Sequence, residues 1–319
     1  IVGWGDNSLG QTDVPAPNTG FVAVAAGNSH RLGLKADGSI VAWGANGSCQ
    51  TCVPEPNLGF VAIAAGGLHS LGLRSDGSIV AWGGNRWGQT DVPEPNTDFV
   101  AISAGSSHSS ALKADGSIAG WGLSGFGDVP EPNAGFVGVV SGQGHILGLV
   151  GRRGAPPNQN APIAAWGANG AGQTRVPSPN EGFAAAAGGA SHSLGLKADG
   201  SILGWGDNEH GQVDVPSPNG GFIAVAAGFD SSLGLKSDGS IVGWGDNGLR
   251  QLAVPEPNTG FVEVASGYWH GLGLKAGGTI VAWGWNPYGQ TDVPAPNAGF
   301  VAVAGGGLHS LGLKRDGSI

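Results

Sequence analysis

Hydrophobic and polar positions follow the same order many times along the chain. A run such as "GFVAVAAG" is rich in Val and Ala, a run such as "HSLGLKA" alternates Leu with other residues, and a run such as "GSIVAWG" is β-branched and aromatic. Short runs of this composition are typical of β-strands. Each repetition therefore predicts three short strands.

Turn signals separate these predicted strands. Asp-Gly joins the second run to the third in most repetitions, and it suits a tight hairpin because both central positions accept positive φ. A segment such as "GQTDVPEPN" follows the third run, and its prolines break regular structure, although "QTDV" has the composition of a fourth edge strand. Helical periodicity is absent. The pattern predicts three to four antiparallel strands per repetition.

The repeating unit occurs eight times. A Trp-Gly pair marks each copy, at steps of 39 residues and one step of 45, with the tryptophans at Trp4, Trp43, Trp82, Trp121, Trp166, Trp205, Trp244 and Trp283. The units are 2–40, 41–79, 80–118, 119–163, 164–202, 203–241, 242–280 and 281–319. The fourth is irregular, because it lacks two residues after Trp121 and gains eight before Trp166.

A short antiparallel sheet repeated about every 40 residues is the signature of a β-propeller blade. The chain starts with a third-run sequence, "IVGWG", and stops just after a hairpin that precedes such a run, so the N-terminal strand is expected to complete the last blade. Closure also removes exposed sheet edges. The sequence predicts an all-β fold, a closed eight-bladed β-propeller of 39-residue repeats, as a single domain over residues 1–319.

The unit Gly-x-x-His-Ser-Leu-x-Leu, followed by Asp-Gly-Ser-Ile-x-x-Trp-Gly-x-Asn-x-x-Gly-Gln, resembles the repeat of the regulator-of-chromosome-condensation family over nearly the whole chain. The short unit is similar to the bacterial branch of that family, which includes the second β-lactamase-inhibitory protein and many secreted or surface-anchored proteins. The resemblance implies a protein target. Well-known members have seven blades, and the sequence contains no inserted wedge of the kind that the eukaryotic exchange factor uses on its GTPase. Exchange activity is therefore not expected.

Seven aromatic residues fall outside the repeated Trp and Phe positions, either in the loop after Trp-Gly or in the two positions before the one that carries His in most units. Antiparallel strands place both loops on one face. Exposed aromatics on a rigid scaffold are typical of protein-binding hot spots. The candidate partner-binding residues are Trp87, Phe126, Phe229, Tyr268, Trp269, Trp285 and Tyr288, with Arg86, Asp230 and His210 as polar companions. The alternative is that some of these aromatics pack locally against neighbouring loops.

One repeated position carries histidine in seven units and Ser231 in the other. The histidines are His30, His69, His108, His145, His192, His270 and His309. Zinc needs ligands that converge within about 2 Å of one ion, and one His per blade does not provide them. We expect no metal site here, but a repeated hydrogen bond that ties the loop to its neighbour.

Cys49 and Cys52 form a Cys-x-x-Cys pair without a second pair or a βαβ context, which is weak support for zinc or redox chemistry. A local disulfide and two free thiols are both compatible with the spacing. We favour the disulfide because the other features point outside the cell.

Charge and composition exclude other functions. The 14 Lys and Arg against 23 Asp and Glu form no basic stripe for nucleic acid, and no apolar run approaches the roughly 18 residues of a membrane span. Catalytic, phosphate-binding and cofactor motifs are missing.

We therefore expect a non-catalytic monomer, secreted or displayed at the cell surface, that binds a protein or carbohydrate through the aromatic rim without a cofactor. Two alternatives remain open. One is an enzyme or glycan-binding protein with a site at the ring centre, and the other is a structural scaffold in a larger surface protein.

Overall fold

Each repeat folds into a three-stranded antiparallel sheet. The computed structural model describes residues 1–151 and 161–315, and within them 24 strands form eight such sheets. Residues 152–160, which contain the insertion of the fourth unit, and residues 316–319 lie outside the described part.

The strands follow one another in chain order. They are β1 Val2–Gly5, β2 Phe21–Ala26, β3 His30–Lys35, β4 Ile40–Gly44, β5 Phe60–Ala65, β6 His69–Arg74, β7 Ile79–Gly83, β8 Phe99–Ala104, β9 His108–Lys113, β10 Ile118–Gly122, β11 Phe136–Ser141, β12 His145–Val150, β13 Ile163–Gly167, β14 Phe183–Gly188, β15 His192–Lys197, β16 Ile202–Gly206, β17 Phe222–Ala227, β18 Ser231–Lys236, β19 Ile241–Gly245, β20 Phe261–Ser266, β21 His270–Lys275, β22 Ile280–Gly284, β23 Phe300–Gly305 and β24 His309–Lys314. Sheets 1 to 7 are consecutive triplets from β2–β3–β4 to β20–β21–β22, and sheet 8 is β23–β24–β1.

The hairpins form where the sequence predicts them. Between β3 and β4, Gly38 has a φ of +80°, which glycine adopts without strain. The Asp37 carboxylate accepts hydrogen bonds from the Ser39 amide at 2.9 Å and from its hydroxyl at 2.6 Å. This short local network explains why Asp, Gly and Ser recur together.

The predicted fourth strand is wrong, because "QTDV" forms turns within the described residues. In its first copy the Gln11 carbonyl accepts the indole N–H of Trp43, and its side-chain oxygen accepts the Leu9 amide. Asp13 accepts a hydrogen bond from the Asn7 side chain. The polar groups of this segment are occupied by the loop, so they do not form a ladder.

The core lies between neighbouring sheets. Leu32, Leu34 and Ile40 of sheet 1 pack with Phe60 and Trp82 of sheet 2, and this arrangement recurs along the chain. Each of the eight repeated tryptophans is at least 94% buried, and its Nε1 donates to a main-chain carbonyl in the loop that follows the preceding sheet. The same side chain therefore supplies both apolar burial and a cross-sheet hydrogen bond.

The first strand joins the last sheet. β1 pairs antiparallel with β24, with Gly3 opposite Leu311, which is the pairing that the sequence predicts. Ile1 and Phe21 share a core cluster with Leu311 and Leu313, so sheet 1 packs on sheet 8 as well as on sheet 2. A cavity of about 210 Å³ is lined by residues from all eight sheets.

Candidate partner-binding surface

Two loops meet at one end of every sheet. The residue after Trp-Gly donates its amide to the carbonyl of the residue before the second strand, as in Gly84 to Leu68 at 2.8 Å and Trp285 to Trp269 at 3.0 Å. We call this end of the sheets the rim face, and the end with the Asp-Gly hairpins the opposite face. The candidate residues come from these two loops.

Five of the predicted aromatics form a continuous row, which we call the aromatic strip. Its members are Phe229, Tyr268, Trp269, Trp285 and Tyr288. Ring centroids are 6.0 Å apart for Phe229 and Trp269, 5.3 Å for Trp269 and Trp285, and 5.5 Å for Trp285 and Tyr288. Tyr288 is half exposed, and the other four are partly buried against one another. Three loops of sheets 6 and 7 thus present one apolar surface.

The strip tryptophans differ chemically from the repeated ones. Among the described residues, the Nε1 atoms of Trp269 and Trp285 have no hydrogen-bond partner, whereas all eight repeated tryptophans donate theirs. Buried tryptophan ordinarily satisfies its N–H within the protein. The fold therefore does not use these two N–H groups for an internal hydrogen bond, and they remain available to another molecule.

Tyr268 has an internal role as well. Its hydroxyl donates to Asn28 Oδ1 at 2.6 Å, so it spans sheet 8 and reaches sheet 1. Its ring lies over Gly307, whose missing side chain leaves the space, and burial raises its pKa. The Tyr268 hydroxyl is therefore held in place beside the central cavity, which this residue also lines.

Trp87 lies apart from the strip. It is 45% exposed, contacts none of the strip rings within the described part of the chain, and carries the Arg86 guanidinium 5.0 Å from its ring centroid. Its amide donates to Gln89 Oε1, the bond that Leu9 makes to Gln11 and Tyr288 makes to Gln290. Because this bond uses the main-chain amide and the glutamine side chain, the side chain at the position of Trp87 is free to vary.

Phe126 is a wrong prediction. It is 2% exposed, stacks on the His108 ring with centroids 4.0 Å apart, and accepts the indole N–H of Trp166 through its carbonyl. The two-residue deletion in the fourth unit brings Phe126 to the place that glutamine holds in the other units, so it fills the core and is not part of the rim surface.

Acidic residues adjoin the Phe229 end of the strip. We call Asp207, Glu209, Asp230 and Asp246 the acidic group. Burial raises the pKa of Asp230, and the charges of the other three raise it further against the opposing effect of His210. His210 itself is exposed. The predicted companions Asp230 and His210 thus lie close together, whereas Arg86 belongs with Trp87.

Sequence reasoning missed three exposed leucines on the rim face. Leu9 is 55% exposed and Leu249 is 37% exposed at the position of Trp87, and Leu68 is 50% exposed at the position of Trp269. Their signal was present, since they occupy the same variable positions as the aromatics. They extend the apolar character of this face beyond aromatic residues.

The histidine position has the predicted structural role. His30 Nε2 lies 2.9 Å from Ser70 Oγ of the next sheet, and Ser70 Oγ donates to the Gln50 carbonyl at 2.8 Å. Equivalent His–Ser bonds join His69 to Ser109, His145 to Ser193, His192 to Ser232, and His270 to Ser310. Burial lowers the pKa of these histidines to about 3 or 4, so they are neutral at physiological pH.

Chemically reactive groups are sparse in the cavity that all eight sheets line. The cavity is lined mainly by Gly and Ala, with Asn28, Gln143, Tyr268 and several serines, and it has no carboxylate, histidine or cysteine in its lining. Within residues 1–151 and 161–315 no group of three His, Cys, Asp or Glu is arranged to hold a metal ion. No helix in that part of the chain is long and apolar enough to cross a membrane. Cys49 and Cys52 form a disulfide.

Comparison with protein families gives one repeated match. The regulator of chromosome condensation (RCC1) repeat matches residues 21–50, 60–89, 99–128, 183–212, 222–251 and 261–290, more than half of the chain. Each segment runs from the first residue of a sheet through the loop after Trp-Gly. Among curated proteins, no significant match is found.

Solved structures share the fold at low sequence identity. Prp20p from Saccharomyces cerevisiae is 18% identical with a TM-score of 0.65, covering 97% of this chain and 90% of its own. The CRINKLY WD40 ectodomain of the Arabidopsis thaliana receptor kinase ACR4 is 24% identical with a TM-score of 0.62, covering 83% of this chain and 95% of its own. Human WBSCR16 is 18% identical with a TM-score of 0.60 and covers 98% of each chain. These similarities support the repeat propeller architecture.

Proposed function

The chain belongs to the family of regulator of chromosome condensation (RCC1) repeat proteins, and from that premise we propose that it is a non-catalytic, closed eight-bladed β-propeller that binds another protein through the aromatic strip. Ring closure is supported by the pairing of β1 with β24 and by the Trp43 hydrogen bond to Gln11, which links sheet 1 to the loop after sheet 8.

The observation that carries this proposal is the set of strip aromatics that the fold does not need. Trp269 and Trp285 occupy variable repeat positions where other units have leucine or small or polar residues, and their indole N–H groups have no partner among the described residues. Tryptophan and tyrosine are enriched in binding hot spots, because they bury much area and can also donate a hydrogen bond. A similar protein, yeast Prp20p, is described by its binding to Gsp1p and histones.

The cellular setting is part of the proposal. The Cys49–Cys52 disulfide supports an extracellular or cell-surface location, where disulfides persist. The 39-residue unit supports the bacterial branch of the family, and we propose that the propeller acts as a monomer.

Affinity capture from extracellular and cell-surface extracts tests the function. The intact protein is compared with a variant carrying Trp269→Ser, Trp285→Ser and Tyr288→Ser, and the affinity of each captured protein is then measured with the purified pair. We expect a partner whose dissociation constant weakens by at least 100-fold in the variant, since each lost aromatic anchor typically costs on the order of 2 kcal/mol.

The matched control carries Val22→Ser and Val61→Ser. These residues are 55% and 54% exposed near the opposite face, so they remove exposed apolar area without touching the rim. Equal affinity of the intact and strip variants would contradict the proposal and favour the scaffold role. Capture of a glycan in place of a protein would mean that the strip binds carbohydrate, which is the alternative function. A separate Trp87→Ser variant shows whether Trp87 and Arg86 belong to the interface.

A further inference from the structure

We propose that the partner segment that lies on the aromatic strip carries a lysine or arginine side chain, and that its cationic group binds between Asp230 and Trp269, beside Glu209. This inference rests on the proposed function and specifies the chemistry of the partner. Three observations on the rim face lead to it.

Four carboxylates lie close enough to interact at one end of the strip, with His210 as the basic side chain beside them. The acidic group comes from the loops at the rim ends of sheets 5 and 6, and within the described residues no lysine or arginine forms an ion pair with it. Asp207 accepts the Glu209 amide, and Asp246 accepts the Gln251 side chain. In contrast, the carboxylates of Glu209 and Asp230 accept no hydrogen bond from that part of the chain. Two negatively charged hydrogen-bond acceptors are thus without a donor from the described residues.

The apolar and acidic surfaces are continuous. Asp230 directly follows Phe229, whose ring lies 6.0 Å from that of Trp269 and 5.7 Å from that of Tyr268. The Asp230 carbonyl also accepts the Asp246 amide at 2.9 Å, which fixes the two rim loops of sheet 6 to each other. A long partner side chain that packs against Trp269 therefore brings its terminal group to the carboxylates.

The chain itself shows what an aromatic residue on this face binds. At Trp87 the neighbouring Arg86 places its guanidinium 5.0 Å from the ring centroid. No cation lies over Trp269 or Trp285 among the described residues. A cation over an indole face is attracted by the ring quadrupole, and it is attracted more strongly when a carboxylate stands beside it. The strip has the indole faces and the carboxylates, and the cation is the complementary group.

A displayed library of random 12-residue peptides tests this directly. It is selected in parallel against the intact protein, against a neutralised variant with Glu209→Gln and Asp230→Asn, and against a strip variant with Trp269→Ser and Trp285→Ser. A charge control with Glu55→Gln and Glu94→Gln has the same net charge as the neutralised variant. Those two carboxylates lie in exposed turns away from the rim, and Gln can still accept the Asn57 and Asn96 amides.

We expect the intact protein and the charge control to select peptides enriched in Lys and Arg. Selected peptides should bind the neutralised variant on the order of tenfold more weakly, and their affinity for the intact protein should fall as salt concentration rises. Binding to the strip variant should be lost.

Peptides that need Trp269 and Trp285 but show no enrichment in Lys and Arg, or that bind the neutralised variant equally well, would overturn the inference while leaving the strip as the interface. If no selected peptide depended on Trp269 and Trp285, both the inference and the proposed function would be wrong. Circular dichroism of each variant confirms that lost binding does not reflect lost structure.

Discussion

At the scale of single residues, the repeat separates side chains that build the fold from side chains that are free to vary. Trp205 illustrates the first kind, since its indole donates to the Gln173 carbonyl and its ring is buried. Trp285 illustrates the second, because its N–H has no partner among the described residues. The same residue type therefore serves two functions, and the hydrogen-bond partner tells them apart.

This contrast predicts opposite effects of one substitution. Trp205→Phe should lower the free energy of unfolding by about 2 to 4 kcal/mol, because it removes a buried hydrogen bond and leaves unfilled volume. Trp285→Phe should change it by less than about 1 kcal/mol, as expected at a surface position. Urea unfolding of the two variants measures both values. Similar losses in both would mean that the strip is part of the structural core.

Arg31 is the residue that fits the repeat least. It is fully buried at the position that carries serine in most other units, and its three guanidinium nitrogens have no hydrogen-bond partner in the described structure. The nearby Asp6 carboxylate is bonded to Ser8 and Gln11, so it does not pair with the guanidinium directly. Burial lowers the pKa of Arg31, which reflects the cost of holding this charge away from water.

We predict that Arg31→Ser stabilises the protein by roughly 2 kcal/mol, since removing an unpaired buried charge is favourable. Residue 31 is the repeat equivalent of Ser70, whose hydroxyl bonds to His30 and to the Gln50 carbonyl. The new hydroxyl would have His309 and the Gln11 carbonyl as the equivalent partners. Thermal and urea unfolding check this. Arg31→Met is the control that removes the charge without providing a hydroxyl, and a lower melting temperature for both variants would contradict the prediction.

Candidate site residues were predictable by position and not by environment. The variable positions of the repeat are sufficient to place Trp269, Trp285 and Tyr288 on one face. The burial of Phe126 escaped this reasoning, because a two-residue deletion shifts it into the glutamine position and the deletion has no unique placement in the sequence. The separation of Trp87 from the strip also escaped it, since the repeat does not show how far apart side chains on loops of different sheets lie.

At the scale of strands and sheets, alternation and turn chemistry were sufficient to predict three strands per unit. The error concerned "QTDV", whose β-like composition is overridden by hydrogen bonds within the loop. The pairing of β1 with β24 followed from the order of strand types along the chain. Asn18 then holds the first residue, since its side chain accepts the Ile1 amine at 2.8 Å and donates to the Ile1 carbonyl at 2.7 Å.

Deleting residues 1–5 should lower the free energy of unfolding by about 4 kcal/mol or more. The deletion removes the pairing with β24, the buried Trp4 ring and its hydrogen bond to the Gln290 carbonyl. Thermal unfolding measures the loss. A synthetic peptide of residues 1–8 added to the truncated protein should restore the melting temperature, whereas the same peptide with Trp4→Ala should not. An unchanged melting temperature after truncation would argue against a closed ring.

At the scale of the whole molecule, stability depends on repeated contacts between neighbouring sheets. The hydrogen-bonded chain from His to Ser to a main-chain carbonyl recurs between neighbouring sheets. It is interrupted where Ile146, Gly271 or Arg31 replaces the serine. All seven repeated histidines are buried at the level of these contacts. Burial is the main cause that lowers the pKa of every one of them, to about 3 for His30 and His108 and well below the usual value for His309. The protein therefore contains many groups that respond to acid together.

This arrangement predicts unfolding in mild acid. A histidine whose pKa is lowered in the folded state stays neutral there, while in the unfolded chain it takes up a proton below pH about 6.5. Stability is then fully present above that pH and is lost as the pH falls toward about 4. Seven such groups acting together remove on the order of 10 kcal/mol between pH 7 and pH 5.5, which is comparable to the whole stability of an ordinary domain.

Urea unfolding at pH 7.5, 6.5, 6.0 and 5.5 measures this loss, and its slope against pH gives the number of protons taken up on unfolding. We expect that number to rise to several per molecule by pH 5.5. The hairpin carboxylates give an internal control, because the Ser39 hydroxyl and amide lower the pKa of Asp37. The stability that Asp37 contributes is therefore lost only below pH about 4, outside the range of the histidines. An uptake of one proton or fewer near pH 5.5 would mean that the histidines are charged in the folded protein, and that the His–Ser bonds accommodate an imidazolium.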